Sequence, residues 1–255
     1  LSGQGNIKDI LIIVLLQKKS YMNFFDSSIM EFVNGFSRNS NLFDYVIAHI
    51  IENDWVKGTP FVLALIFFWF QKSPKIIINR GFIISGLFST FVSIVVARSM
   101  AILLPYRARP FLNQDLHFVR PFGMTPEGLE TWSSFPSDHA VLFFSLATCI
   151  FLISRKSGII AYLYAFFVVC FPRIYFGLHY PTDILIGAVI GVIITLILST
   201  EKISRPVVQK VFNFSSKYTG LFYVLFTLFL FQIATIFEKT REIMHTLVDL
   251  FQKII

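Results

Sequence analysis

Long apolar runs separated by short polar connections leave this chain little choice of solvent. Six stretches are dominated by Leu, Ile, Val, Phe and Ala: Trp55–Phe70, Phe82–Leu104, Ser137–Ile153, Ile159–Phe176, Thr182–Leu198 and Tyr218–Ile236. A helix satisfies its backbone N–H and C=O groups internally, so about 20 such residues can cross a hydrocarbon core roughly 30 Å thick. The pattern predicts an all-α fold, a polytopic membrane bundle of about six transmembrane helices. The first run is short and relies on Lys57 and Lys72 reaching to the polar boundary. Only 15% of residues are charged, against about a quarter in a soluble domain. Phe contributes 31 of the 255 residues, which suits surfaces that face lipid.

The flanks read differently. Phe24–Ile51 mixes apolar and polar residues, with Ile29, Phe32, Val33 and Phe36 at helical spacing. Two placements fit it, a helix lying on the membrane or a helix packed on the loops. Glu238 onward is charged and amphipathic, with Ile243, Met244, Leu247, Leu250 and Phe251 on one face. The expected organisation is therefore an interfacial segment over 1–54, a membrane domain over 55–237 and an amphipathic tail over 238–255. Leu1–Asn6 resembles a processing or cloning remnant. Ile10–Leu16 is too short to span, and Lys18-Lys19 after it is the wrong order for a signal peptide.

The net charge of +7 does not point to nucleic acid, because no basic stripe interleaved with aromatics lies outside the membrane-flanking loops. Lys72, Lys75 and Arg80 fall in the first connection, Arg155 and Lys156 in the third, and Lys202, Arg205, Lys210 and Lys217 in the fifth. These connections share one side, and the excess of Lys and Arg makes that side cytoplasmic. Cys149 and Cys170 sit inside apolar runs and read as buried thiols; no Cys/His cluster has zinc-ligand spacing.

The opposite side collects the residues with chemistry. Arg173 precedes His179 by six positions, and Asp183 follows His179 by four. Pro181 suits the first turn of a helix, which places Asp183 where the helix dipole favours a carboxylate. A carboxylate one turn from an imidazole can fix its tautomer and leave the other nitrogen as a nucleophile. Upstream, Ser137 is a good N-cap for the run that follows, so the free N–H groups of that turn can cradle an anion beside His139. Arg107-Ala108-Arg109-Pro110 ends the preceding run.

In this order and at these helix ends, the three stretches resemble the type 2 phosphatidic acid phosphatase family. Its pattern is Lys-x6-Arg-Pro, Pro-Ser-Gly-His and Ser-Arg-x5-His-x3-Asp. Arg109-Pro110, Pro136-Ser137-x-His139 and Arg173-x5-His179-x3-Asp183 match it, over roughly Gly58 to Leu198. Phe135-Pro136-Ser137-Asp138-His139 looks most like bacterial members that act on undecaprenyl diphosphate. The resemblance implies an inner-membrane lipid phosphatase with no metal or other cofactor, although Asp138, His139, His179 and Asp183 could in principle hold a metal, and the Lys and Arg count puts its site on the extracytoplasmic side. It implies that His179 becomes phosphohistidine, Asp183 orients it, and His139 is the general acid and base. Arg109, Arg173 and the turn at Ser137 and Asp138 would bind phosphate.

Three positions depart from the pattern. Ile102 stands in place of Lys, Asp138 in place of Gly, and Pro172 in place of Ser. Arg98, one turn before Ile102, or Arg107 would supply the missing positive group. Asp138 would repel phosphate unless it turns toward the helix N-terminus or tunes His139. A phosphotransferase would use the same groups, and a transporter or silent scaffold is the remaining alternative.

Overall fold

The computed structural model describes residues 22–124 and 132–235. The expectations for the first twenty-one residues and for the tail from Glu238 lie outside the described residues. Among the described residues the structure is helical, with no strand.

Helix α1 (Phe24–Asn34) is capped by Asn23, whose side chain accepts from the Asp26 N–H at 2.7 Å. Helix α2 (Asn41–Glu52) is capped by Ser40, and α3 (Asp54–Phe70) by Asn53. Helix α4 (Ile76–Leu103) starts six residues before the expected span. Arg80 permits this, because its Nε donates to the Trp69 carbonyl at 3.0 Å and its guanidinium lies 5.1 Å over the Trp69 ring. Helix α5 covers Asp138–Ile153, and α6 runs continuously over Arg155–Tyr175. Helix α7 is Pro181–Leu198, α8 Glu201–Lys217 and α9 Thr219–Ala234. The fifth connection, which carries Pro206, is thus itself an amphipathic helix with no buried residue.

Three of the helices, α4, α6 and α7, are long and apolar enough to cross a membrane. Helices α5 and α9 are apolar but have 16 residues each, a rise of about 24 Å. Outward-facing Phe91, Ile102, Leu103, Ile160, Leu185 and Leu221 form the kind of apolar exterior that lipid covers. Inside, Phe61, Leu65, Trp69, Ile83, Leu146, Ile150 and Phe222 make one core. A second core, with Met30, Ile47, Phe111, Ile174, Leu178 and Tyr180, lies under α1 and α2.

Helices α5 and α7 pack backbone to backbone. A Cβ on Gly187 would sit 2.7 Å from the Ser137 carbonyl oxygen, and one on Gly191 would sit 2.5 Å from that of Val141. Small residues allow this approach, as in membrane helix pairs generally. It brings the N-termini of α5 and α7 together, so that Ser137 N–H donates to the Asp183 carbonyl at 3.2 Å.

The N-terminal pair is polar inside and apolar outside. Asp26 and Asp44 are fully buried, while Phe24 is 86% exposed and Leu42 76%. Met30, Val33, Ile47 and Ala48 pack inward beside the two carboxylates. The pair docks on the loops, and its outward Phe24, Phe32 and Leu42 suit a lipid boundary. The packing of the pair on the loops is observed, and its exposed apolar face is compatible with a membrane surface.

Candidate active site

The turn between α6 and α7 is set by Gly177, whose φ of +61° favours glycine. Its reversal lets the N–H groups of Leu178 and His179 both donate to the Arg173 carbonyl, at 2.9 and 3.3 Å. That folds the six-residue spacing back on itself. Just before it, α6 widens to a π-helix over Ala165–Cys170, where Phe171 N–H reaches the Phe166 carbonyl. Pro172 has no N–H to give, and the widened turn is where the helix accommodates it.

His179 is buried, and its Nδ1 lies 2.8 Å from the Ser134 carbonyl. A carbonyl only accepts, so Nδ1 carries the hydrogen and Nε2 the lone pair. Asp183 Oδ2 lies 3.8 Å from the same nitrogen, within ion-pair range and beyond hydrogen-bond range. The hydrogen bond expected of Asp183 is therefore made by Ser134, and Asp183 acts on the ring through its charge. Asp183 itself is fully buried; Oδ2 accepts from Tyr180 N–H at 2.8 Å and Oδ1 from Arg107 Nη1 at 2.5 Å. Burial holds His179 below its ordinary pKa; Asp183 opposes that effect, and Arg109 and Arg173 add to it.

Arg109 precedes a short 3-10 turn at Pro110–Leu112 and is buried, with Nη1 donating to the Leu178 carbonyl at 2.8 Å. Burial also lowers its pKa, but a guanidinium remains charged. Arg173 Nη2 contacts His139 Nε2, and its Nε is buried without a hydrogen-bond partner. A guanidinium only donates, so His139 Nε2 accepts in this arrangement. Ser137 caps α5, its hydroxyl oxygen accepting from Ala140 N–H at 3.4 Å. Together Arg109, Arg173, His139, His179 and the N-terminus of α5 form a partly buried, positively charged end to the bundle. Such a set can hold a phosphoryl group, offer a nucleophile and transfer a proton.

The remaining expected residues are engaged with one another. Arg98 Nη2 is 2.5 Å from Asp138 Oδ2, and its guanidinium lies 5.2 Å over the Trp132 ring. Asp138 thus has a counter-charge, and Arg98 spends part of its own on it. Arg107 reaches Asp183 Oδ1, Thr182 Oγ1 at 2.9 Å and Asp26 Oδ2 at 2.6 Å, and stacks 4.1 Å over Tyr180. It braces the α7 N-terminus. Asp26, Ser134 and Thr182 escaped the sequence reading. Asp26 was hidden because the stripe that packs inward, Asp26, Met30 and Val33, differs from the apolar stripe that includes Phe32 and Phe36.

Fold and site define an all-helical membrane protein, among the described residues, with two histidines and two arginines, one of them buried, at one end of the bundle. Residues 82–202, which hold all three motifs, match the PAP2 superfamily. It is 32% identical over 138 residues to the bacitracin transport permease protein BcrC of Bacillus licheniformis, covering 52% of this chain and 61% of that one. It is 26% identical to the undecaprenyl-diphosphatase BcrC of Bacillus subtilis (strain 168), over 72% of this chain and 88% of that one. It is 27% identical to the lipid A 1-diphosphate synthase of Escherichia coli (strain K12), over 67% and 73%. No solved structure matches significantly.

Proposed function

We infer that the chain is an integral-membrane lipid phosphatase that hydrolyses a polyprenyl diphosphate of undecaprenyl type, or a related lipid phosphate, through a phosphohistidine. The observation that carries this reading is the orientation of His179, whose Nδ1–H is committed to Ser134 and whose Nε2 lone pair is left for attack. Nε2 attacks the terminal phosphorus as the P–O bond to the lipid phosphate breaks. Arg109, Arg173 and the α5 N–H groups hold the equatorial oxygens. A phosphate oxygen that takes over the Arg173 N–H releases His139 Nε2, which picks up a proton from solvent and then gives it to the departing oxygen. His139 next takes a proton from water, whose oxygen attacks phosphorus and frees inorganic phosphate and His179. The name of the Bacillus subtilis relative supports the diphosphate substrate.

A second reading, transfer of the phosphoryl group to another lipid, is favoured by the synthase relative. It shares every step up to the phosphohistidine. A transport role, suggested by the permease name, needs none of them. The reading puts the site on the extracytoplasmic side; α5 and α7 support it by starting at the site and running toward Arg155, Lys156 and the basic helix α8.

The test is phosphate release by the purified chain from polyprenyl diphosphate in detergent, with and without a lipid acceptor, in chelator and with vanadate. Release without acceptor, undiminished by chelator and blocked by vanadate, is expected. Release only with acceptor would establish the transferase, and uptake into liposomes without release would overturn both enzyme readings.

A further inference from the structure

We propose that Asp26, on the N-terminal helix α1, is a positioning residue for the catalytic histidine, acting through Arg107 and Thr182 on the turn that carries His179 and Asp183. The proposal rests on the reading of His179 as nucleophile.

Asp26 is fully buried and bonded on both oxygens. Oδ1 accepts from Thr182 N–H at 2.9 Å. Oδ2 accepts from Thr182 Oγ1 at 2.6 Å and from Arg107 Nη2 at 2.6 Å, and Asn23 adds a bond at 3.1 Å. Thr182 is the second residue of α7, so its N–H is one of the donors a helix start leaves unsatisfied. Asp26 therefore caps α7 from a different helix, one that comes 156 residues earlier.

Arg107 is the shared element. One guanidinium nitrogen holds Asp26 and the other holds Asp183. Two buried carboxylates on one guanidinium fix its plane, and the Tyr180 ring closes the remaining face. Asp183 is held in turn, with Oδ2 kept 3.8 Å from His179 Nδ1 while Ser134 takes the hydrogen bond. If Asp26 loses its charge, Arg107 belongs to Asp183 alone and swings toward it. Asp183 then neutralises less of the positive field that Arg109 and Arg173 place on His179. The charged groups acting on His179 are Asp183 on α7, Arg173 on α6 and Arg109 from the loop, and His139 on α5 touches Arg173.

Asp44 is the built-in control. It is the other buried carboxylate of the N-terminal pair, and it anchors α2 to Arg38 N–H at 3.1 Å, Phe122 N–H at 2.9 Å and the Tyr175 hydroxyl. It bonds to none of the residues assigned to the chemistry.

The experiment compares Asp26→Asn, Asp26→Ala, Asp44→Asn and His179→Ala in the full-length chain. It measures kcat and KM for polyprenyl diphosphate, the pH–rate profile and Tm. Asp26→Asn keeps shape and the Thr182 N–H bond but loses the charge. It should lower kcat by about tenfold to a hundredfold, on the scale of a small misplacement of a reacting group, with KM within about threefold, and move the acid limb to lower pH. Asp26→Ala should lose at least as much. Asp44→Asn should lower Tm while keeping kcat. If the Asp26 variants lower Tm but the folded enzyme keeps wild-type kcat and pH profile, Asp26 is merely structural and the proposal fails. If His179→Ala retains turnover, the underlying reading of the nucleophile fails instead.

Discussion

The pair Arg98–Asp138 allows two roles for one arginine to be separated by experiment. Arg98→Ala leaves the Asp138 carboxylate at the first turn of α5 without its partner at 2.5 Å. A phosphate at that helix end would lie roughly 6–8 Å from it, and a unit charge at that range is worth roughly 2–3 kcal/mol at an effective dielectric of about 20. The two side chains are 32% and 23% exposed, so screening reduces this to about 1–2 kcal/mol. KM should therefore rise by about five- to thirtyfold, with little change in kcat. Asp138→Asn alone should leave KM unchanged or lower. The double variant Arg98→Ala/Asp138→Asn should return KM to within about threefold of wild type, because the charge that Arg98 cancels is gone. The assay is steady-state phosphate release at constant detergent and salt. A double variant as impaired as Arg98→Ala would refute the reasoning and make Arg98 a direct phosphate ligand.

Burial lowers the His179 pKa, so its neutral form persists below the ordinary value of about 6.5 and the acid limb of kcat/KM should lie beneath it. The same shift makes the unfolded chain bind more protons than the folded one below that pH, so this group's contribution to stability is lost as pH falls through the ordinary histidine range, which a Tm series would follow. Gly191→Ala drives a Cβ to 2.5 Å from the Val141 carbonyl and should cost about 1–3 kcal/mol; Gly220→Ala, with nothing within 4 Å, should leave Tm unchanged or raise it. An impermeant thiol reagent on intact cells should label Asp115→Cys and not Lys156→Cys, and the reverse pattern would invert the topology. Cys149 and Cys170 are buried and give no background.

The parts of the fold legible in sequence were those governed by local rules. Apolar runs marked helices, three of them long enough to cross a membrane, Pro181 marked the start of α7, and Ser137 marked the start of α5. The spacing from His179 to Asp183 placed the two side by side because helix periodicity does so. Tertiary partners were not legible. Arg98 and Arg107 looked alike as spare cations, and only the fold turns one onto Asp138 and the other onto Asp26 and Asp183. The start of α4 was missed because Arg80 read as a loop charge, whereas Trp69 shelters it. Which face of α1 turns inward stayed open in the sequence, because an apolar stripe means the inside only when water is outside.

The latch on α1 also sets an order of assembly. Asp26 leaves the ribosome first, Arg107 follows 81 residues later and Thr182 156 residues later. At about 5–20 residues per second, the carboxylate waits roughly 10–30 seconds for its last partner. Until then α1 is held by its own Asn23 cap, by Arg107 and by Asn34 on the Val119 backbone. The cap on the site can close only after α7 has begun to insert, so α1, the earliest of the described helices, is among the last to be fastened, and the site is completed late in synthesis.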